Sequence, residues 1–311
     1  MFFCIFIFPM NRIIYLSPGI LILSFLMLCC KTNNRKNKVP ENQSEKLASD
    51  SSALSRYNLE DESPQTVKLP GKLNEISGIT VTGDGRLFCE GDEDADIFEL
   101  DYKSGAVVKK FYAGNSMLGS KKGDFEDIAF VKDKFYLLES KGRLLEFSEG
   151  KEGEHVDYKI YETKLKESND VEGLCYDPET NSLLLACKGK PGEGYEKSKT
   201  VYSFLLNSMV LEDTPRFIIP LDSIKKNTIE NEFGPSGIAR HPLTGTFFII
   251  AARGNVIVEL SKTGELLNEK DLPEKIHKQP EGIAFDKEND LIISNEGKQK
   301  SARLVIYPMK K

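Results

Sequence analysis

"QPEGIAFD", Gln279–Asp286, is the stretch on which the fold turns. Its acidic residue, small residue and apolar pair recur in "NDVEGLCYD" (Asn169–Asp177), "GDFEDIAF" (Gly123–Phe130), "FGPSGIAR" (Phe233–Arg240) and "LNEISGIT" (Leu73–Thr80). With Gly78, Asp127, Gly173, Gly237 and Gly282 as anchors, the intervals are 49, 46, 64 and 45 residues. Self-similarity at such a period points to propeller blades, each a small unit that buries its apolar face only by stacking on its neighbours.

Each anchor opens a short strand, then a polar turn, then a strongly apolar strand. The turns are "TGDGR", "VKDK", "DPETNS", "HPLTGT" and "DKEND", dense in the residues tight hairpins use. The apolar strands are expected at Leu87–Cys89, Phe135–Leu138, Leu183–Ala186, Phe247–Ala251 and Leu291–Ile293. A third, alternating strand follows in "DIFELD", "RLLEFS", "TVYSFLL", "VIVELS" and "RLVIYP", and a weaker fourth in Val107–Tyr112, Tyr158–Glu162 and Arg216–Pro220. In the long interval, "KGKPGEGYEKSK" and "DSIKKNTIENE" read as loop insertions. The last unit has no room for a fourth strand, and "QTVKLP" (Gln65–Pro70) is placed to supply it, closing the ring. The expectation is an all-β, five-bladed propeller over 64–311. Six blades is the alternative if the long interval holds a degenerate one.

The 311 residues carry a formal charge of −6, three histidines and no tryptophan. That balance argues against nucleic acid as a partner and against a His-centred metal site or triad. His241, in a turn, and His277, in a loop, are expected on the surface. Past Cys30 only Cys89, Cys175 and Cys187 remain, an odd number that suggests no disulfide framework. Cys175 and Cys187 fall roughly opposite each other across the "DPETNS" hairpin and are expected as packed thiols, with a cross-strand disulfide as the alternative. "GKPGEG" lacks the Lys-Ser/Thr ending of a phosphate loop.

Ahead of the domain, residues 1–30 read as an export signal: Asn11-Arg12, an apolar run Ile13–Leu28, then Cys29-Cys30. "LMLCC" resembles the lipobox of bacterial lipoproteins, with Cys30 (or Cys29) as the lipidated residue. An uncleaved membrane anchor is the alternative. Translation from Met10 would give a signal of ordinary shape. Residues 31–63, rich in Asn, Ser, Lys and Glu, are expected to be a flexible polar tether. The chain is therefore expected in the cell envelope, held at a membrane through lipid, facing the periplasm or the cell surface.

In a propeller the first strand of each blade lines the central channel, so the start of that strand and the end of the second share one face. One channel mouth then gathers Glu75, Glu126, Asp127, Glu172 and Glu281, with Ser236 in the fourth blade. After the second strands come Glu90 and Asp92, Lys141, Lys188, Arg253, and Asn295 with Glu296. The converging oxygens suit a hard cation such as calcium, with Glu75, Glu126, Glu172 and Glu281 as the metal ligands. Alternatively Lys141, Lys188 and Arg253 clamp a small anionic ligand. The plain alternative is that acids and bases only pair with one another and with backbone N–H groups.

From Thr66 to Pro308 the chain resembles the SdiA-regulated family of bacterial propeller proteins. The resemblance rests on "EISGIT", "DADIFELD", "GDFEDIAF", "NDVEGLCYDPETNSLLLACKG", "PSGIARHP" and "QPEGIAFD", in that order. It implies an exported or membrane-associated propeller, of a family in which some members are linked with calcium handling and no enzymatic activity is firmly attached. It places Glu75, Glu126, Glu172 and Glu281 at the family's motif acids, from which Ser236 departs. A lipid-anchored, non-catalytic binding propeller is the leading expectation. The rivals are a metal-dependent hydrolase (lactonase, esterase or phytase-like) using the same carboxylates, and a protein-interaction platform of unknown partner.

Overall fold

The computed structural model describes residues 52–311 except 62, 226, 229–231 and 298–300. The expected export signal, the lipidated cysteine and most of the tether lie outside the described residues.

Five sheets, antiparallel except for the short His155–Val156 strand that pairs parallel at the edge of the first, form the five blades of a β-propeller, with almost no helix. Blade 1 runs through Ile76–Val81, Leu87–Gly91, Asp96–Asp101 and Ala106–Asn115. Blade 2 comprises Phe125–Val131, Lys134–Glu139, Leu144–Ser148 and Tyr158–Tyr161. Blade 3 comprises Val171–Asp177, Ser182–Cys187 and Ser198–Leu205, whose outer edge is paired by both Val210–Leu211 and Phe217–Pro220. Blade 4 is Gly237–Arg240, Phe247–Ala251, Val256–Leu260 and Leu266–Asp271. Blade 5 takes Pro280–Phe285, Leu291–Asn295 and Arg303–Tyr307 from the C-terminal end. Its fourth strand is Gln65–Lys68, paired antiparallel with Gln65 opposite Ile306. The ring thus closes with strands from both ends of the domain, as expected, and the long interval adds an edge strand and loops to blade 3, not a blade.

The first strand of each blade packs on the first strand of the next, and that of blade 5 packs back on blade 1. Each seam between blades has its own apolar core. Phe88, Phe111, Phe125, Phe135 and Phe147 fill the seam of blades 1 and 2, and the other four are mainly aliphatic. Because both faces of a blade are covered, the second strands are unbroken apolar runs such as "FFIIA", not alternating ones. At the axis the crowding is severe. A Cβ on Gly78 would stand 2.5 Å from the Cα of Asp127, and one on Gly282 would stand 2.7 Å from the Ser77 carbonyl.

All five hairpins between first and second strands use a left-handed residue: Gly85, Lys132, Asn181, Gly245 and Asn289. Lys132, exposed at φ 59°, lacks the side chain that tolerates this region. Lys132→Gly is expected to stabilise the domain by about 0.5–1 kcal/mol, read as a small rise in melting temperature.

The propeller also begins earlier than expected. Residues 52–61, assigned to the tether by their polar composition, pack against blades 4 and 5. Ala53, Leu54, Tyr57 and Leu59 are each 2 % exposed or less and join the core of that seam. The Ala53 and Leu54 N–H groups donate to the two oxygens of the fully buried Glu259 carboxylate, at 3.1 and 2.8 Å. Tyr57 donates to the Asn289 carbonyl at 2.7 Å and accepts from His241 Nε2 at 3.0 Å. Asn289 and His241 lie in hairpins that follow the first strands, so this strap packs on the blade 4–5 seam at the face opposite the acidic mouth.

Candidate functional site

The channel mouth is built by the same local irregularity in four blades. Pairing of first and second strands slips between Ile76 and Ile79, Phe125 and Asp127, Val171 and Gly173, and Pro280 and Ile283. A bulge of this kind re-aims the residue it holds. The slips coincide with Ser77, Glu126, Glu172 and Glu281. Glu75 therefore does not share the position of the other glutamates: Ser77 does, and Glu75 stands two residues upstream, exposed on the outer rim. The equivalent upstream residues in blades 2 and 3 are Asp124 and Asp170, which sequence reasoning passed over. Their signal was present as the acid pairs of "GDFED" and "NDVEG".

Three of the expected site residues are scaffold. Asp127 is buried, and its carboxylate accepts the Ile128 N–H at 2.8 Å and, across the seam to blade 3, the Leu174 N–H at 2.6 Å. Asn295 is buried and accepts from His277 Nδ1 at 3.1 Å, while His277 Nε2 accepts the Tyr307 hydroxyl at 2.8 Å. Lys141 lies 3.1 Å from Glu139, which also holds Arg143. Serines fasten three further seams: Ser236 to the Pro280 carbonyl at 2.7 Å, Ser294 to the Ser77 carbonyl and Ser77 to the Glu126 carbonyl, both at 3.0 Å. The departure at Ser236 thus has a structural use.

The histidines correct the expectation of surface positions. His241 and His277 are both fully buried, and burial holds each imidazole down at about 4. Turns and loops near a propeller's core can be as enclosed as its strands. The three thiols of the described residues are free and buried, and Cys175 pairs with Leu184 in register, not with Cys187.

What gathers at the mouth is a run of half-buried and buried carboxylates with one ammonium among them. Burial pushes Glu126 up to about 9, helped by the charges of Glu172, Asp124 and Glu90. Burial likewise raises Glu172 to about 8, with Lys188 pulling it down and Glu281 and Asp170 pushing it further up. Asp92 rises to about 6 through burial and the neighbouring Glu75, Glu93 and Glu296. Glu90, fully buried, accepts the Gly78 N–H at 2.8 Å through Oε1. Lys188 donates to Glu172 Oε1. Its ammonium is disfavoured by burial, but Glu172, Glu281 and Asp170 more than offset this.

Two buried oxygens, Glu90 Oε2 and Glu172 Oε2, have no hydrogen-bond partner. Such groups cost about 1–3 kcal/mol each when left unsatisfied. No three acidic, histidine or cysteine side chains of the described residues stand together as a ready metal cage. The expected cationic clamp does not assemble either. Lys141 and Lys188 are committed to Glu139 and Glu172, and the exposed Arg253 lies over a neighbouring cleft. That cleft, of about 1060 Å³, extends over blade 3 and is bounded on its inner side by Asp170 and Lys188.

The family model of the SdiA-regulated proteins matches residues 49–296. No curated protein matches the chain. Among solved structures, glutaminyl cyclase of Myxococcus xanthus is 13 % identical, with a TM-score of 0.51 over 79 % of this chain and 94 % of its own. A luciferin-regenerating enzyme is 10 % identical, with a TM-score of 0.49 over 79 % of this chain and 95 % of its own. The PQQ-bound aldose sugar dehydrogenase of Streptomyces coelicolor is 13 % identical, with a TM-score of 0.49 over 80 % and 99 %. At these identities the likeness is one of propeller fold.

Proposed function

We propose that this chain, which belongs to the SdiA-regulated family, is a non-catalytic binding propeller that receives a positively charged group at its acidic channel mouth. The observation that carries the reading is Glu172 Oε2, buried and unpartnered beside Glu126, Glu281 and Asp170. A cation there would satisfy the oxygen and let the neighbouring carboxylates ionise together. Calcium is the inorganic candidate, since it accepts carboxylate oxygens in loose geometry. Binding, not chemistry, is favoured because His241 and His277 are locked in buried hydrogen bonds and the three described thiols are enclosed. The "LMLCC" motif supports a lipid anchor at Cys30 (or Cys29) and a place in the cell envelope. The strap packs on the face away from the mouth.

Calorimetric titration of the full chain with calcium chloride, and separately with methylammonium chloride, tests the reading. Heat of binding from either, weakened about tenfold or more in Glu126→Gln or Glu172→Gln, is the expected result. Silence with both cations would refute it.

A further inference from the structure

We infer that the positively charged group taken at the mouth is the amino terminus of a short peptide whose backbone lies in the cleft over blade 3. The inference rests on the reading just given and adds the class of molecule. Glu172 already receives one ammonium, that of Lys188, on Oε1, while Oε2 has no donor. A second ammonium brings three N–H donors and needs no preformed coordination cage, which the described residues do not supply. The cleft shares Lys188 and Asp170 with the mouth, and its 1060 Å³ far exceeds what a metal ion needs. It is of the size in which extended small molecules are held.

The chemistry of the cleft beyond the mouth then selects the body of the ligand. Lys166, Lys190 and Arg253, without ion pairs among the described residues, are matched by Glu167, Glu193 and Glu212. A wall balanced in sign favours neither a polyanion nor a polycation. Nor is it a purely apolar groove, since Leu165, Pro191, Tyr202 and Leu211 stand among charged side chains. A neutral chain that alternates N–H donors and C=O acceptors is the molecule that pairs with such a surface, and a peptide backbone is one. Its single charged end would be the ammonium at Glu172.

Tetraalanine amide, its N-acetylated form, methylammonium and calcium, each titrated calorimetrically into the full chain, form the test. Tetraalanine amide is expected to bind more tightly than methylammonium. Acetylation, and separately Glu172→Gln, are each expected to cost about tenfold or more in affinity. Lys190→Ala with Arg253→Ala is expected to weaken the peptide several-fold and leave methylammonium unchanged, a split that a merely unfolded variant would not give. Equal affinity for the peptide and its acetylated form, or a peptide no tighter than methylammonium, would overturn the inference. Calcium binding with no response to any amine would also overturn it while sparing the mouth itself. Silence with every probe would sink both.

Discussion

Tyr57→Ala is expected to lower the melting temperature by roughly 6–20 °C, the largest effect of a single truncation outside the blades. The ring is fully enclosed among His241, Phe248 and Phe285 and packs edge-on against the first two. Removing a buried aromatic of this kind costs about 3–5 kcal/mol, of which only part is recovered by relaxation. For a domain of this size each kcal/mol is worth about 2–4 °C. The hydroxyl adds to the cost: without it the Asn289 carbonyl and the His241 ring lose their partner inside the seam. Glu259→Ala tests the other end of the strap. Two buried N–H groups, of Ala53 and Leu54, would lose their acceptor, and a loss of about 3 kcal/mol is expected. Thermal melts of the two variants check both. If either melts within about 2 °C of the parent, the strap contributes little to the domain. Because the strap lies on the opposite face, cation binding at the mouth should survive both changes below their melting points.

The strap also marks where the sequence stops being readable. "SALSRYNLE" has a polar background, and its four apolar residues follow no helical or strand period, because they dock as a short 3-10 turn followed by a second turn at Asn58–Asp61. The repeat, by contrast, is legible because blade geometry imposes it. Glycine at 78, 237 and 282 is forced by neighbouring backbone at the axis, so the same small residue returns at each blade. The acids were legible only as a set. Bulges decide which residue of each motif turns to the channel, and a bulge leaves no mark in the residue pattern. Glu75 and Ser77 were exchanged although the anchors separate them: Glu75 stands three residues before Gly78, whereas Ser77, like Glu126, Glu172 and Glu281, stands one before its anchor. Asp127 stands where the other four anchors are glycine, and nothing short of the inter-blade distance tells that its carboxylate bridges to Leu174 N–H. The enclosure of His241 and His277 likewise depends on partners distant in sequence, Tyr57 and Tyr307.

Stability should pass through a maximum near pH 6 and fall on both sides, for separate and separable reasons. On the acid side, His241 and His277 are held neutral at about 4 in the fold against 6.5 when free. Between those values the unfolded chain binds more protons, so stability is full above about pH 6.5 and is lost as pH falls toward 4. On the alkaline side the sign reverses. Glu126 at about 9 and Glu172 at about 8 are raised above the 4.5 of the exposed carboxyl, so the folded chain binds more protons. That contribution is full below about pH 4.5 and is lost as pH rises through 8 and 9. Between 4.5 and 6.5 the two effects oppose each other, and above 6.5 only the carboxyl loss remains, which places the maximum within that window. The alkaline loss by pH 9 is expected to be at least about 2 kcal/mol, several degrees in melting temperature. Glu126→Gln with Glu172→Gln should make the alkaline limb shallower, the buried Glu90 and Asp127 still being held above their usual range, and leave the acid limb in place. A cation bound at the mouth should do the same in the parent, since it takes over the role of the protons, and its affinity should rise from pH 6 to pH 9. Melting curves across this range, with and without calcium or methylammonium, decide the matter. An alkaline limb that neither the double variant nor a cation alters would show that the mouth carboxylates are not the groups that titrate.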